Sequence, residues 1–108
     1  MAILNRNLNC SFPQAVSKVE NAVMNGSFTA TLEHSWDTRD GDARCAVRVF
    51  ERYSYTGGNR VSMSVTLFQN GNGPVKLCAI TSGGSQATFF KFNTWGEEAF
   101  LETLADAL

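Results

Sequence analysis

The chain has 108 residues, 44% of them apolar, and a formal net charge of −1. This length predicts a single domain over residues 1–108, and the apolar content suffices for one core, which excludes a globally disordered chain. The near-neutral charge disfavours nucleic acid and anionic membrane surfaces as partners, and no apolar run is long enough to span a bilayer. Three widely spaced cysteines, and an N-terminal stretch unlike a signal peptide, predict a cytoplasmic protein without a disulfide framework.

The first elements are a weak strand and a clearly marked helix. Residues 3–10 alternate weakly, which predicts a strand near a sheet edge. Residues 11–14, SFPQ, form a capping box with proline in the first turn. The apolar residues that follow recur at helical spacing: Phe12, Ala15, Val16, Val19, Ala22 and Val23. Gly26 is expected to end this helix in the left-handed conformation.

A strand is predicted from Phe28 to Trp36, where apolar and polar residues alternate. Its apolar positions share one face: Phe28, Ala30, Leu32, His34 and Trp36. The polar residues 37–42 are interpreted as a loop. Their acidic residues resemble part of a calcium loop, but the spacing is wrong for an EF-hand.

The next stretch, residues 46–66, is predicted to be a β-hairpin. In both strands the odd-numbered residues are the more apolar: Cys45, Val47, Val49, Tyr53 and Tyr55, then Val61, Met63, Val65 and Leu67. A three-residue loop at Gly57-Gly58-Asn59 pairs odd with odd, placing Val49 opposite Leu67. This register puts the apolar set on the core face and sends Arg44, Arg48, Phe50 and Arg52 to the outer face.

The last elements are a covered strand and a second helix. Residues 75–81 are apolar on both faces, which is typical of a central or interfacial strand. Thr94-Trp95-Gly96-Glu97 predicts a second capping box, followed by an apolar stripe: Phe100, Leu101, Leu104, Ala105 and Leu108. The predicted order is β-α-β-β-β-β-α. We therefore expect an α+β fold, an antiparallel sheet of four to five strands with both helices on one face.

Two segments carry a resemblance to a known family. Val47–Ser62 (VRVFERYSYTGGNRVS) and Ala79–Leu101 (AITSGGSQATFFKFNTWGEEAFL) resemble a family of short bacterial proteins of unknown function. The resemblance implies a free-standing bacterial protein. It implies no catalytic residue.

The sheet face left uncovered by the helices is the main candidate for function. The predicted register places an apolar and basic patch there: Arg48, Phe50, Arg52, Phe68, Cys78 and Ile80. Monomeric proteins rarely expose such a patch, so we expect a homodimer or higher homo-oligomer that acts by binding a protein partner or small ligand. Single-stranded RNA stacking on Phe50 and Phe68 is the weaker alternative, because the chain is acidic and lacks an RNP-type motif.

A second hypothesis is a small enzyme or ligand carrier. The predicted register places Glu51 on the core face, where a carboxylate needs a partner or a proton, so Glu51, Tyr53 and Tyr55 could line a pocket between sheet and helices. An ion pair or a strand end is the simpler explanation.

Three further patterns are weaker. Gly83, Gly84 and Ser85 could present amides to an anion, but the segment lacks the lysine and following helix of a phosphate loop, so a turn is the simpler interpretation. The cysteines and His34 lack metal-ligand spacing, so no metal or cofactor is expected. A nucleophilic pair of Cys45 and His34 is disfavoured because both are predicted on the core face.

Overall fold

The computed structural model describes residues 1–54, 59–83 and 90–108, and these form five strands and two helices in the predicted order. The elements are β1 (Ala2–Leu8), α1 (Phe12–Gly26), β2 (Thr31–Asp40), β3 (Ala43–Ser54), β4 (Asn59–Asn70), β5 (Val75–Gly83) and α2 (Phe90–Ala105). The strands form one antiparallel sheet in the order β1-β5-β4-β3-β2. The α+β prediction is confirmed.

Both helices pack on one face of this sheet. Helix α2 contacts β5, β4 and β1, and α1 packs beside α2 over β3 and β4. The core between the two layers includes Val19, Val23, Met63, Val65, Leu67, Val75, Ala79, Phe100 and Leu104. By contrast, β2 is exposed along its whole length. The helical layer therefore covers most of the sheet but leaves its β2 edge open.

Helix α1 begins as predicted but ends for a different reason. The capping box is present: the amide of Gln14 donates to Ser11 Oγ at 3.3 Å, and the amide of Ser11 donates to Gln14 Oε1 at 3.2 Å. The expected left-handed conformation at Gly26 is wrong, since Gly26 is the last helical residue and the left-handed glycines among the described residues are Gly41 and Gly71. A Cβ at Gly26 would overlap the methyl group of Thr103 in α2. Glycine is needed there for close helix packing.

Strand β2 is shifted from its predicted position. It begins at Thr31, leaving Phe28 outside and fully exposed, and it extends through the predicted loop to Asp40. A bulge between Leu32 and His34 breaks the alternation. A bulge inserts one residue, so the side chains beyond it change faces, and Leu32 and Trp36 lie on opposite faces of the sheet.

The predicted register of the β3–β4 hairpin is wrong by three residues, since Val49 was expected opposite Leu67 and lies opposite Ser64. The structure pairs Val49 with Ser64 and Ser54 with Asn59, so odd residues of β3 oppose even residues of β4. The connection is then residues 55–58, which lie outside the described part of the chain, as does the predicted Gly57-Gly58 turn. Because side chains alternate with a period of two, a shift by an odd number of residues turns every side chain of a strand to the other face. Consequently β4 has its odd residues buried, as predicted, whereas β3 buries its even ones.

The inward face of β3 includes arginines that reach the margin of the core. Three inward residues are buried: Ala46, Arg48 and Phe50. The half-buried Arg44 and Arg52 flank them at the two ends of the strand. The guanidinium of Arg44 lies 4.6 Å from the ring centre of Phe12, and that of Arg52 lies 4.5 Å from the ring centre of Phe100. Long arginine stems can cover apolar surface while the charged group remains at the periphery.

The last strand is confirmed and the start of the last helix is corrected. Strand β5 lies between β1 and β4 and buries its odd residues, Val75 to Thr81. Helix α2 begins at Phe90, so Thr94 stands inside the helix and the capping box predicted at residues 94–97 is wrong. The buried carboxylate of Glu97 has other partners, described below.

Candidate functional site

The sheet face opposite the helices is the largest candidate site, and we call it the open face. Its apolar and aromatic members come from all five strands: Ile3, Trp36, Val47, Val49, Tyr53, Phe68, Cys78 and Ile80. Trp36 is 53% exposed, Phe68 40% and Ile80 37%. An apolar surface of this extent is typical of an interaction site.

The strand register arranges the open face in rows that cross the sheet. One central row runs Ile3, Ile80, Ser64, Val49, His34, and the next runs Asn5, Cys78, Thr66, Val47, Trp36. None of these ten positions holds an aspartate, glutamate, lysine or arginine. Charged residues lie in the flanking rows, with Lys76 toward one end and Glu51 and Arg60 toward the other. The centre therefore mixes apolar with small polar side chains and lacks acidic residues, lysine and arginine, and depletion of charged residues is typical of the core of a protein interface.

The open face also has a shallow depression of about 460 Å³ near the β1 edge. Asn5, Asn7, Thr66, Phe68 and Cys78 contribute to its lining. At the opposite edge, in the same row as Asn5 and Cys78, Trp36 projects from β2. The face thus combines a depression at one edge with a bulky side chain at the other.

The structure divides the six residues predicted as an interface into two groups. Phe68, Cys78 and Ile80 lie on the open face, in agreement with their predicted positions. The predicted outer positions of Arg48, Phe50 and Arg52 are wrong, because the register shift turns them toward the helices, where Phe50 has no exposed surface. The predicted RNA platform of Phe50 and Phe68 does not form, since the two rings lie on opposite faces.

Sequence reasoning missed Val47, Val49 and Trp36 as members of the open face. For the valines, the sequence contains a warning: the even-numbered neighbours Ala46 and Phe50 are apolar too. Alternation alone therefore could not decide which face of β3 is buried. The position of Trp36 depends on the bulge in β2, for which the alternating sequence gave no warning.

The predicted pocket around Glu51 is not formed between sheet and helices. Glu51 and Tyr53 lie on the open face, and Tyr55 lies outside the described residues. Arg60 is close to both: its Nε lies 3.0 Å from Glu51 Oε1, and its guanidinium carbon lies 5.6 Å from the ring centre of Tyr53. Glu51 is therefore a partly exposed, paired carboxylate, which removes the argument for a catalytic role.

At the predicted anion loop, the one described amide already has a carboxylate partner. The amide of Gly83 donates to Glu97 Oε2 at 2.7 Å, and the amino group of Met1 lies 2.5 Å from Glu97 Oε1. Gly84 and Ser85 lie outside the described residues. The buried glutamate thus ties α2 to the ends of β1 and β5.

A second polar cluster lies on the helix side of β3, around Arg48. Arg48 Nε donates to Glu20 Oε2 at 2.8 Å, and Nη1 and Nη2 donate to the two carboxylate oxygens of Asp37 at 2.9 and 3.2 Å. Burial lowers the pKa of Arg48, but the hydrogen bonds and charges of Asp37 and Glu20 outweigh burial and leave the pKa above its usual value. Arg48 therefore links α1, β2 and β3 as a permanently charged group.

The cysteines and His34 form no reactive cluster. Cys10, Cys45 and Cys78 are free. His34 pairs with Val49 and Cys45 with Thr38, so the two side chains are separated by about 13 Å along the strands. In the described part of the chain, no group of three or more histidine, cysteine or acidic residues could hold a metal ion.

Comparison with known proteins places the chain in a family. Within the described ranges, neither helix is both long and apolar enough to cross a membrane. No curated protein and no solved structure matches the chain. A sequence family described as a family of unknown function, DUF6054, matches residues 1–108, and the chain belongs to that family.

Proposed function

We propose that this protein functions as a homodimer that binds its partner or ligand without catalysis, and that the open face is the dimer interface. The observation that carries the proposal is the uncharged centre of that face, with Phe68, Ile80 and Trp36 exposed on the single chain. Burying such side chains is favourable by about 25 cal/mol per Å² of apolar surface. A second copy of the chain offers the same surface in matching size.

The extent of the open face agrees with a stable dimer. Five strands at about 4.8 Å spacing and about nine residues at 3.3 Å each give a footprint of roughly 600 Å² before side-chain relief is counted. Specific interfaces of standard size bury about 600–1,000 Å² per partner. The face thus reaches the lower end of that range.

The shape of the face favours a twofold arrangement. An axis parallel to β4 brings the β2 edge of one copy opposite the β1 edge of the other. Trp36 then faces the depression next to Asn5 and Cys78, while Val47 faces Cys78 and Val49 faces Ile80 in the second copy. Sheets packed in this way interdigitate their side chains about 10 Å apart.

We further propose that the protein resides in a reducing compartment such as the cytoplasm. Three cysteines are free and partly exposed, and Cys45 and Cys78 lie on the open face. Free thiols persist where glutathione and thioredoxin keep them reduced.

Sedimentation velocity over a micromolar concentration series tests the interface. We expect a dimer for the unmodified chain, and for Phe68→Lys and Ile80→Lys a dissociation constant raised about thirtyfold or more, the effect of a hot spot of about 2 kcal/mol. Ser17→Lys, on the exposed side of α1, is the matched control and should leave the dimer intact. Circular dichroism should be the same for all four proteins.

A monomeric unmodified chain throughout the series would refute the proposal. Dimers of Phe68→Lys and Ile80→Lys as stable as those of Ser17→Lys would show that another surface forms the dimer.

A further inference from the structure

Two arginines face each other on the helix side of the β2–β3 hairpin. Arg39 and Arg44 are direct partners across the two strands, on the same face as Arg48. Like charges directly opposite each other in a sheet are destabilising. Two of the described carboxylates, Glu20 and Asp37, are engaged by Arg48, whereas within the described residues neither Arg39 nor Arg44 has a carboxylate at ion-pair distance.

The two arginines line a groove beside the start of α1. The groove measures about 420 Å³, and the exposed Pro13 and half-buried Val16 form its apolar wall, whereas Phe12 also lines it but is buried. Arg44 stacks over the ring of Phe12 at 4.6 Å, which holds its guanidinium at the groove. The first turn of α1 contains no acidic residue, so the positive end of the helix dipole adds to the charge of the arginines.

The neighbouring surface continues the same groove toward the β-turns. A second depression of about 490 Å³ shares Phe12, Arg39 and Arg44 and adds Ser11, Gln69 and Asp42. Asp42 lines this second depression, and Asp37, which lines the first groove, is ion-paired with Arg48. Arg39 and Arg44 thus have one carboxylate beside them, Asp42, that is not paired with Arg48.

We propose that Arg39 and Arg44, beside Pro13 and Val16, form a binding site for a phosphate monoester that carries an apolar group. A phosphate monoester has a charge of about −1.5 to −2 near pH 7, which suits two opposed arginines, and guanidinium groups bind phosphate oxygens through paired hydrogen bonds. The apolar wall accommodates the organic group. The bound anion relieves the repulsion between the two arginines.

Phenyl phosphate is a simple probe of this site. By isothermal titration calorimetry we expect it to bind more tightly than inorganic phosphate, benzoate or phenol, each of which lacks one part of the proposed ligand. Arg39→Gln and Arg44→Gln should each weaken phenyl phosphate binding about tenfold or more, the usual loss for hydrogen bonds to a charged group. Arg39→Lys keeps the charge but not the paired geometry and should lose less. Arg6, an exposed residue of β1, gives the matched control Arg6→Gln, which should bind normally.

The melting temperature of the free protein distinguishes a binding site from a structural pair. Removal of either arginine relieves repulsion, so Arg39→Gln without ligand should melt at the same temperature as the unmodified chain or higher. Phenyl phosphate should raise the melting temperature of the unmodified chain and of Arg6→Gln but not that of Arg39→Gln. Absence of phenyl phosphate binding, or equal losses in Arg39→Gln and Arg6→Gln, would overturn the proposal. The open face is on the other side of the sheet, so this result is independent of the dimer.

Discussion

Strands β3 and β4 are neighbours of equal length, yet they form the core in different ways. The inward side of β4 is purely apolar, from Val61 to Leu67, and its outward side is mostly serine and threonine. The inward side of β3 alternates arginines with Ala46 and Phe50, and its outward side includes Val47 and Val49. A strand with one polar face reveals its orientation in its sequence. In a strand with two mixed faces, contacts from the helices and from β2 determine which side is buried.

The largest expected effect tests which face of β3 is buried. Phe50→Ala should lower the free energy of unfolding by about 3–5 kcal/mol, because it removes a fully buried ring and leaves a cavity. Tyr53→Ala truncates an aromatic residue of the same strand on the open face. It should cost about 1 kcal/mol or less, even with its contact to Arg60 lost.

Urea unfolding at one fixed protein concentration measures both variants. If Tyr53→Ala proved the more destabilising, the odd side of β3 would be the buried one after all.

A smaller effect is expected from the carboxylates that hold Arg48 in the inner face. Glu20→Gln with Asp37→Asn leaves a buried guanidinium without a counter-charge, and we expect a loss of about 2 kcal/mol, below the usual range for buried pairs because both carboxylates are partly exposed to water. Arg48→Met removes the charge itself and keeps most of the apolar stem, so it should cost less than about 1 kcal/mol.

Thermal unfolding at low and moderate salt compares these two variants. A larger loss for Arg48→Met than for the double carboxylate variant would contradict this expectation, because a guanidinium without its counter-charges would then be less unfavourable at this position than a methionine side chain.

The smallest expected effect concerns the distance between α1 and α2, the two helices that contact the arginines of β3. Helix α1 supplies Phe12 and Glu20 to the arginines of β3, and α2 supplies Phe100. Gly26→Ala should cost about 1 kcal/mol, because the clash with Thr103 outweighs the better helix propensity of alanine. In a Thr103→Ser background the methyl group is absent, and the same substitution should become neutral or stabilising.

A double-mutant cycle by urea unfolding gives the coupling between positions 26 and 103. Additive effects would show that the methyl group of Thr103 does not set the helix spacing. Serine retains the hydroxyl that donates to the carbonyl of Ala99, so the cycle isolates the methyl group.

Sequence patterns predicted the elements better than their faces. The capping box of α1, the buried odd residues of β4 and β5 and the order of elements follow from local rules that hold wherever one side of an element is polar. The faces of β3 and of the end of β2 depend on longer-range contacts: the pairing of Arg48 with Asp37 and Glu20, and a bulge in β2. For the same reason only Phe68, Cys78 and Ile80 of the open face were predicted, and the opposed pair Arg39 and Arg44 required the observed hairpin register.

The bulge in β2 has a consequence for how the chain avoids aggregation. An exposed edge strand is a template on which further chains can add as in a fibril, and proteins guard against this with bulges and charged side chains. Strand β2 has both, since its bulge between Leu32 and His34 is accompanied by Glu33, Asp37 and Asp40. Strand addition along this edge is disfavoured. The proposed twofold association through the open face would then close at two copies rather than propagate into a filament.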